Sequence, residues 1–394
     1  MKTAIQVSRI IVGLLFIFSG LVKANDPLGL SYKMEEYFEI WEMTQFNSIT
    51  LTLSVLMNAF EIIAGFALLL GWRIKIFSWL LLLLILFFTF LTGYTFVTGK
   101  PTNCGCFGDC LPITAKTSFL KDLALTLLIG YIFWNRKKIK PVFSERASII
   151  SMLAIAIFSF GFQWYTLNYL PVVDCLPFKK GNDITEKRKM PANAIPDSTV
   201  ITFVYLKEGK EIEFTADKFP GDFNSDTYQF VKRYDKLIRK GKNNEPPIKG
   251  FVLTSVNDVD STQFVLKYPY CVLLFCENFS NPVKSWQKQF EEIYNEARQK
   301  NIPIYLVTSR MDQVAGALQG TGFSDIPVFK CDLTAIRTAA RTNPCLYILN
   351  EGTVTGKWSD KNFDEAASKL KEIPAQQILL PESPGIPIDS TTDQ

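Results

Sequence analysis

Five apolar stretches, at roughly residues 5–22, 49–70, 76–98, 118–134 and 148–168, constrain what this chain can become more than any other feature. A hydrocarbon core of about 30 Å is crossed by about 20 helical residues, and each stretch is that long or nearly so, the fourth being the shortest. A window such as WLLLLLILFFTFL has no reading other than lipid-buried helix. The whole chain has 394 residues, more than one ordinary domain needs, and the apolar stretches end before its midpoint. The second half must therefore fold as something else.

Charge sets an expected orientation. Lys2 and Arg9 precede or begin the first span, Arg73 and Lys75 join the second to the third, and Arg136, Lys137, Lys138, Lys140 and Arg146 join the fourth to the fifth. The positive-inside rule assigns these three to the cytoplasmic side. The loop at 23–48, with Glu35, Glu36, Glu39 and Glu42, and the loop at 99–117 then face outward. Five spans carry residues 171–394 to that outer side. We expect an inner (cytoplasmic) membrane protein with a cytoplasmic N-terminus and a periplasmic C-terminal domain. The first span lacks the small-x-small site of a cleaved signal peptide. Residues 1–170 hold 14 Lys/Arg against 9 Asp/Glu, and residues 171–394 hold 28 against 29. The basic excess lies in the apolar half, which argues against a nucleic-acid partner.

The chain contains no histidine. That excludes Ser-His-Asp and Cys-His catalysis and His-ligated zinc or haem. Chemistry falls to cysteine, carboxylates, lysine, tyrosine or a borrowed cofactor. On the outer loop, Met34, Tyr37, Phe38 and Trp41 recur at helical spacing with Glu35, Glu39 and Glu42 opposite. This reads as an amphipathic helix on the membrane surface, either a lid packed on the bundle or a docking site for a partner.

Eight cysteines occur, and three lie in Asn103-Cys104-Gly105-Cys106-Phe107-Gly108-Asp109-Cys110, between the third and fourth spans. Flanking glycines let the backbone turn tightly and leave sulfurs exposed. A C-x-C pair bridges only with strain, and a third cysteine four residues on is placed to resolve or store that bridge. Cys104, Cys106 and Cys110 are thus candidate redox groups beside a hydrophobic path for a quinone. A structural disulfide clamping the loop is the competing reading. A metal site would need Asp109 or Cys175 as fourth ligand, and none is expected. Glu61, near the middle of the second span, costs about 2.5–3.5 kcal/mol if ionised in lipid. It must face the bundle, either handling protons or fixing the packing. Lys23, Asp26, Lys121 and Asp122 read as interfacial anchors.

The stretch Cys104-Gly-Cys-Phe-Gly resembles the hallmark of the DoxX/MauE-type membrane proteins. So do Arg9-x3-Gly13-x2-Phe16-x2-Ser19-Gly20-x2-Lys23-x2-Asp26-Pro27-Leu28-Gly29 and Glu61-x3-Gly65 followed by Leu68-Leu69-Leu70-Gly71. The resemblance covers about residues 1–140 and implies a four-helix membrane bundle tied to redox processes outside the cytoplasm. MauE is linked to methylamine utilisation, through maturation of a disulfide-rich dehydrogenase, and DoxX to thiosulfate–quinone oxidoreduction. The fifth span, at 141–170, and the large outer domain depart from that family.

In the outer half, Pro171–Pro196 reads as an extended linker, followed by a hairpin over Thr199–Thr215 and a helix at about 225–240, the whole of 171–247 serving as linker and extension. From Ile248, strands alternate with helices as an α/β unit with a covered sheet. The run Cys271–Lys284 resembles the strand, active-site turn and helix start of thioredoxin, and Asn343-Pro344-Cys345 through Gly352 resembles its cis-proline strand, over about residues 248–373. Pro344 is the candidate cis peptide. Ser280 and Val283 stand where that family has its two redox cysteines, and Leu274 replaces the buried carboxylate. The resemblance therefore implies a redox-inactive thioredoxin-like domain that binds an envelope protein partner along Ser280, Asn281, Pro282, Asn343 and Pro344. Cys271, Cys276 and Cys331 read as structural, as does Cys345 beside the proline. Residues 374–394 read as a disordered tail.

The expectation is a transmembrane helical bundle with an α/β thioredoxin-like extracytoplasmic domain. Its function would be thiol–disulfide or quinone-linked redox chemistry, with quinone the candidate cofactor and membrane lipid the surroundings. The alternative is a non-enzymatic maturation or scaffolding subunit of an envelope complex.

Overall fold

The computed structural model describes residues 2–101, 108–239, 241 and 243–377. Among the described residues, five helices are long and apolar enough to cross a membrane: α1 (Lys2–Ala24), α3 (Thr50–Leu70), α4 (Ile74–Thr98), α5 (Ala115–Trp134) and α6 (Glu145–Tyr169). A shorter helix, α2 (Pro27–Ile40), lies between the first two. The expected four-helix bundle plus a separate fifth span needs correction. α6 packs into the same bundle against α1, α2 and α3. Gln163 on α6 donates to Val55 O (3.1 Å), Asn58 donates to Gln163 Oε1 (3.2 Å), and Thr166 donates to Ala24 O (3.0 Å). In lipid such polar side chains find partners on neighbouring helices, which ties α6 to α1 and α3.

The tightest helix pair is α1 with α3, and glycine makes it so. A Cβ at Gly65 would lie 2.8 Å from Gly13 O and 3.0 Å from Ile17 N, both backbone atoms that cannot step aside. Small residues at such a crossing let two backbones approach closely. At one end of the bundle the basic links meet, with Arg73 paired to Glu145 (3.0 Å) and Val142 N donating to Leu70 O (2.9 Å). At the other end lie α2, the loop after α4 and the α/β half.

α2 is the helix expected around Met34–Trp41, shifted toward the N-terminus. It begins at Pro27, where Asp26 caps it by accepting from Gly29 N (3.1 Å), and ends at Ile40. Proline at the first position has no N–H to leave unsatisfied. Tyr37 is buried and its hydroxyl lies 2.7 Å from Thr95 Oγ1 on α4, while the Trp41 ring meets Tyr94 edge-on at 5.6 Å. The apolar stripe thus packs on the bundle as a lid.

After a short helix α7 (Ile184–Lys187), strands β1 (Ser198–Lys207), β2 (Lys210–Thr215) and β3 (Tyr228–Arg239) form an antiparallel sheet ordered β2-β1-β3. The helix expected at about 225–240 is therefore a strand. Its apolar residues Phe230, Tyr234 and Leu237 mimic helical spacing, but pairing with β1 from Ser198↔Arg239 to Lys207↔Tyr228 decides the outcome. Tertiary pairing of aromatic and β-branched residues overrides a local period.

The remaining elements are α8 (Thr262–Leu266), β4 (Cys271–Cys276), α9 (Gln287–Gln299), β5 (Ile304–Thr308), α10 (Met311–Leu318), β6 (Val328–Lys330), α11 (Leu333–Ala339), β7 (Cys345–Asn350), β8 (Thr353–Ser359) and α12 (Phe363–Glu372). Their sheet is ordered β6-β5-β4-β7-β8, mixed, with β4 parallel to β5 and antiparallel to β7. The strand expected at Ile248 is absent among the named strands, and only isolated bridges at Thr254 occur there. One face of the sheet buries Phe251, Phe275, Phe329 and Tyr347, and the other buries Trp286, Phe290, Phe323 and Phe363. Phe178 and Ile184 belong to the first of these cores, so the expected linker is partly a packed element of the α/β half. Burying one such side chain contributes roughly 1.5–3 kcal/mol, enough to fix the segment. The tail expected from 374 begins ordered: Gln376 accepts from Tyr270 N and donates to Tyr270 O. Residues 378–394 lie outside the described residues.

Candidate functional site

The α/β half sits on the bundle through two arginines, Arg337 on α11 and Arg341 just beyond its end. α11 is capped by Asp332, which accepts from Thr334 N (2.8 Å) and Ala335 N (3.1 Å). Arg337, in its last turn, and Arg341, in the segment that follows, both reach toward α2. Arg337 pairs with Glu35 (2.8 Å) and with Glu277 (2.8 Å), and its guanidinium lies 4.5 Å from the Tyr32 ring centre. Arg341 is buried, pairs with Asp26 (2.9 Å) and Asp109 (2.9 Å), and also donates to Arg337 O. Tyr32 donates to Glu277 Oε2 (3.2 Å). Burial, then the Glu277 charge, pushes the Tyr32 hydroxyl well above its ordinary pKa, so it stays a donor. Buried guanidinium–carboxylate pairs hold only while every member keeps a partner, so these groups act as one unit.

The same seam holds a disulfide. Cys110, on the loop between α4 and α5, is bonded to Cys175 beyond α6, with their Cα atoms 4.9 Å apart. Its flanks are tied separately. Asp109 reaches Arg341, Asp174 reaches Lys357 (2.9 Å), and Asn25 both donates to Val173 O (2.8 Å) and accepts from Val173 N (3.0 Å). The disulfide thus bridges membrane half and α/β half. Cys104 and Cys106, the other cysteines of the cluster, lie outside the described residues.

Beneath that loop the bundle buries charge. Glu61 on α3 is 1% exposed, and its Oε1 accepts from the Lys23 ammonium at 2.5 Å. Lys23, 3% exposed, lies 4.9 Å from the Phe88 ring centre. Asp122 on α5 pairs with Lys121 (2.9 Å) and accepts from Thr92 (3.1 Å). Both pairs line one small cavity of about 30 Å³, shared with Phe16, Ile85, Phe88 and Leu125. That is room for one or two waters. Among the described residues, Glu61 Oε2 is buried without a hydrogen-bond partner. Lys23 and Asp122, expected as interfacial anchors, are buried instead, and Asp26 is held by Arg341. The helix spacing brings each inward, where pairing offsets the cost that lipid would impose.

On the α/β half the structure gathers Ser280, Asn281, Pro282, Asn343 and Pro344. The Asn343–Pro344 peptide is cis. Asn281 donates to Asn343 O (3.0 Å), Glu277 N donates to Asn343 Oδ1 (3.1 Å), and Asn343 donates to Asn278 O (2.9 Å). Ser280 and Pro282 are exposed. The adjoining Glu277, Arg337 and Arg341 contact this chain's own α2, so this edge begins beside the membrane half.

The four remaining cysteines are buried and unpaired with one another. Burial pushes the Cys271 and Cys331 thiols up to about 12 and the Cys345 thiol up to about 11, and raises Cys276 further. Such thiols are poor nucleophiles. Cys271 and Cys276 fall into the cores on opposite faces of the sheet. Sequence reasoning missed the Arg337/Arg341 pair, whose i, i+4 spacing was readable but whose carboxylate partners were remote. It also left Cys175 unassigned.

With this geometry in view, residues 1–135 match the family model of methylamine utilisation protein MauE. That match spans α1 to α5. Residues 192–240, which hold β1 to β3, match a domain of unknown function (DUF8463). Among curated proteins, Protein TlpB of Flavobacterium psychrophilum is 28% identical over 133 residues, 33% of this chain and 36% of the relative. The match thus spans about a third of that protein's length.

Proposed function

We propose that this MauE-like membrane protein is an extracytoplasmic thiol–disulfide relay. Cys104 and Cys106 exchange with the Cys110–Cys175 disulfide, and a lipid-soluble oxidant of the quinone class takes the electrons. The observation that carries the reading is the position of Cys110–Cys175: on the C-x-C loop, joined to the α/β half, and above the buried Lys23–Glu61 and Lys121–Asp122 pairs. A disulfide fits an oxidising compartment, and the basic links at the far end of the bundle fit the cytoplasmic face. Each cycle oxidises two thiols to one disulfide and passes two electrons and two protons onward. Glu61, with one carboxylate oxygen unpartnered, is the proton-handling group beside the acceptor. The α/β half reads as thioredoxin-like, supported by its sheet order, the helix following β4 and the cis Asn343–Pro344 bond. It lacks an exchangeable thiol on that turn and serves as the binding half, through Ser280, Asn281, Pro282, Asn343 and Pro344.

A specific observation favours a second reading, a maturation scaffold. The disulfide flanks are held by Arg341, Lys357 and Asn25 as well as by sulfur, as a permanent clamp would be. Differential thiol labelling of the protein in its membrane, mapped by mass across a redox titration, separates the two. Cycling of Cys104, Cys106, Cys110 or Cys175 well above about −300 mV, where structural disulfides usually end, together with quinone dependence, supports the relay. Thiols locked in one state throughout leave the scaffold.

A further inference from the structure

Of the two cysteines in the disulfide, Cys175 alone borders the space between the halves. Cys175 borders a cleft of about 630 Å³ between the halves, whose walls include Glu36, Leu111, Pro247, Thr334 and Arg337. Cys110 does not border that cleft. Both cysteines, with Val22 and Asn25, line a second cavity of about 10 Å³ on the bundle side. Both cysteines are only half-buried.

We infer that the interdomain cleft is the substrate site of the relay, that its ligand is a short extended polypeptide segment bearing a reduced cysteine, and that Cys175 is the sulfur this thiol attacks. The inference rests on the relay reading and adds direction to it. Exchange proceeds by thiolate attack on one sulfur with the other leaving. The client thiolate bonds to Cys175 Sγ, the Cys110–Cys175 bond breaks, and Cys110 leaves as thiolate and takes up a proton. A second client thiol then displaces Cys175, leaving a client disulfide and two protein thiols. The cleft is of ordinary ligand-site size. Its walls offer both charge signs, in Glu35, Glu36 and Glu39 against Lys33, Lys249 and Arg337, as a peptide backbone with mixed side chains requires. Because the walls belong to both halves, the site depends on the contacts that dock them, the Arg337 and Arg341 pairs among them.

The test uses the full-length protein in native membranes and a synthetic peptide with a single cysteine, which forms a mixed disulfide but cannot resolve it. Mapping by mass should place the peptide on Cys175 and leave Cys110 open to an alkylating reagent. Thr334→Trp, which fills the cleft from an exposed position, should slow adduct formation about tenfold, equivalent to roughly 1.4 kcal/mol. Reduction of the same disulfide by a small phosphine should stay unchanged, showing that the variant is folded. Adduct on Cys110, or an equal rate in Thr334→Trp, overturns the assignment, as does equal reactivity of cysteine alone. The relay reading fails separately: adduct on Cys175 with no change of state at Cys104 and Cys106 would keep the cleft and remove the relay.

Discussion

Arg341 Nη2 lies 2.9 Å from Asp109 Oδ2, so a residue on the α/β half grips the neighbour of Cys110 on the membrane loop. The same guanidinium holds Asp26, the cap of α2. One side chain thus sets three things: the start of the lid helix, the position of the cysteine loop and the docking of the α/β half.

Replacing Arg341 should therefore loosen the seam without unfolding either half. Removing one partner from a buried charge pair typically costs about 3–5 kcal/mol, because the other charge is left unpaired. Asp109 is partly exposed and can rehydrate, which places Arg341→Met toward the lower end of that range. Arg341→Lys should not rescue it, since one ammonium cannot satisfy two carboxylates with a planar fork. Hydrogen exchange should show faster opening over residues 25–40 and 108–114. Unaltered protection there would mean that the disulfide alone carries the docking.

The disulfide closes a separation of 65 residues. In the chain-entropy account a loop of that size contributes about 4 kcal/mol. Cys110→Ser, Cys175→Ser and the double variant should lose similar stability in chemical denaturation. Yet all three should keep the halves docked, through the arginine pairs and the Asn25–Val173 bonds. A relay requires that tolerance, because its reduced form must stay assembled. Undocking in any of the three, seen as new protease sites over 170–197, would mark the bond as purely structural.

The bundle and its five spans were legible because lipid demands long apolar runs, and no packing detail is needed to see them. The buried pair was half legible. Glu61 stood out as a midspan charge, whereas Lys23 sits near the end of α1, where a lysine normally extends to the interface. Only the α1–α3 crossing, drawn tight at Gly13 and Gly65, turns Lys23 inward. β3 was misread because its apolar spacing fits a helix and its partner strand lies about 30 residues upstream. Cys175 could not be joined to Cys110 from sequence, since cysteine connectivity depends on a fold that brings residues together across α5 and α6.

The Lys23–Glu61 pair invites a double-variant test. Lys23→Met alone leaves an unpaired carboxylate in the bundle and should destabilise strongly, by about 3–5 kcal/mol. Glu61→Gln alone strands an ammonium that still has the Phe88 face nearby, and should cost less. The combined variant should recover most of the loss, because an apolar–amide pair carries no charge to solvate. Thermal melts in one detergent give the coupling. Strictly additive losses would show that the two groups do not depend on each other.

The buried thiols give a pH signature. Cys345 has its pKa raised to about 11 and Cys271 and Cys331 to about 12, above the ordinary free-thiol value of about 8.5. A raised folded pKa means that the folded state keeps its proton longer than the unfolded chain. The stabilisation is complete below about pH 8.5 and is lost as pH rises toward 11 and 12. Denaturation midpoints should accordingly fall between pH 8.5 and 11, and fall less in a variant with Cys345→Ala. Alkylation of the native protein at pH 8 should leave Cys271, Cys276, Cys331 and Cys345 unmodified, since the thiolate fraction at Cys345 is about a thousandth there. Mass mapping after a timed pulse reads all four at once. Rapid labelling of Cys345 at pH 8 would mean that the strand beginning at the cis-proline opens in the native state, and would make that cysteine a candidate exchange partner.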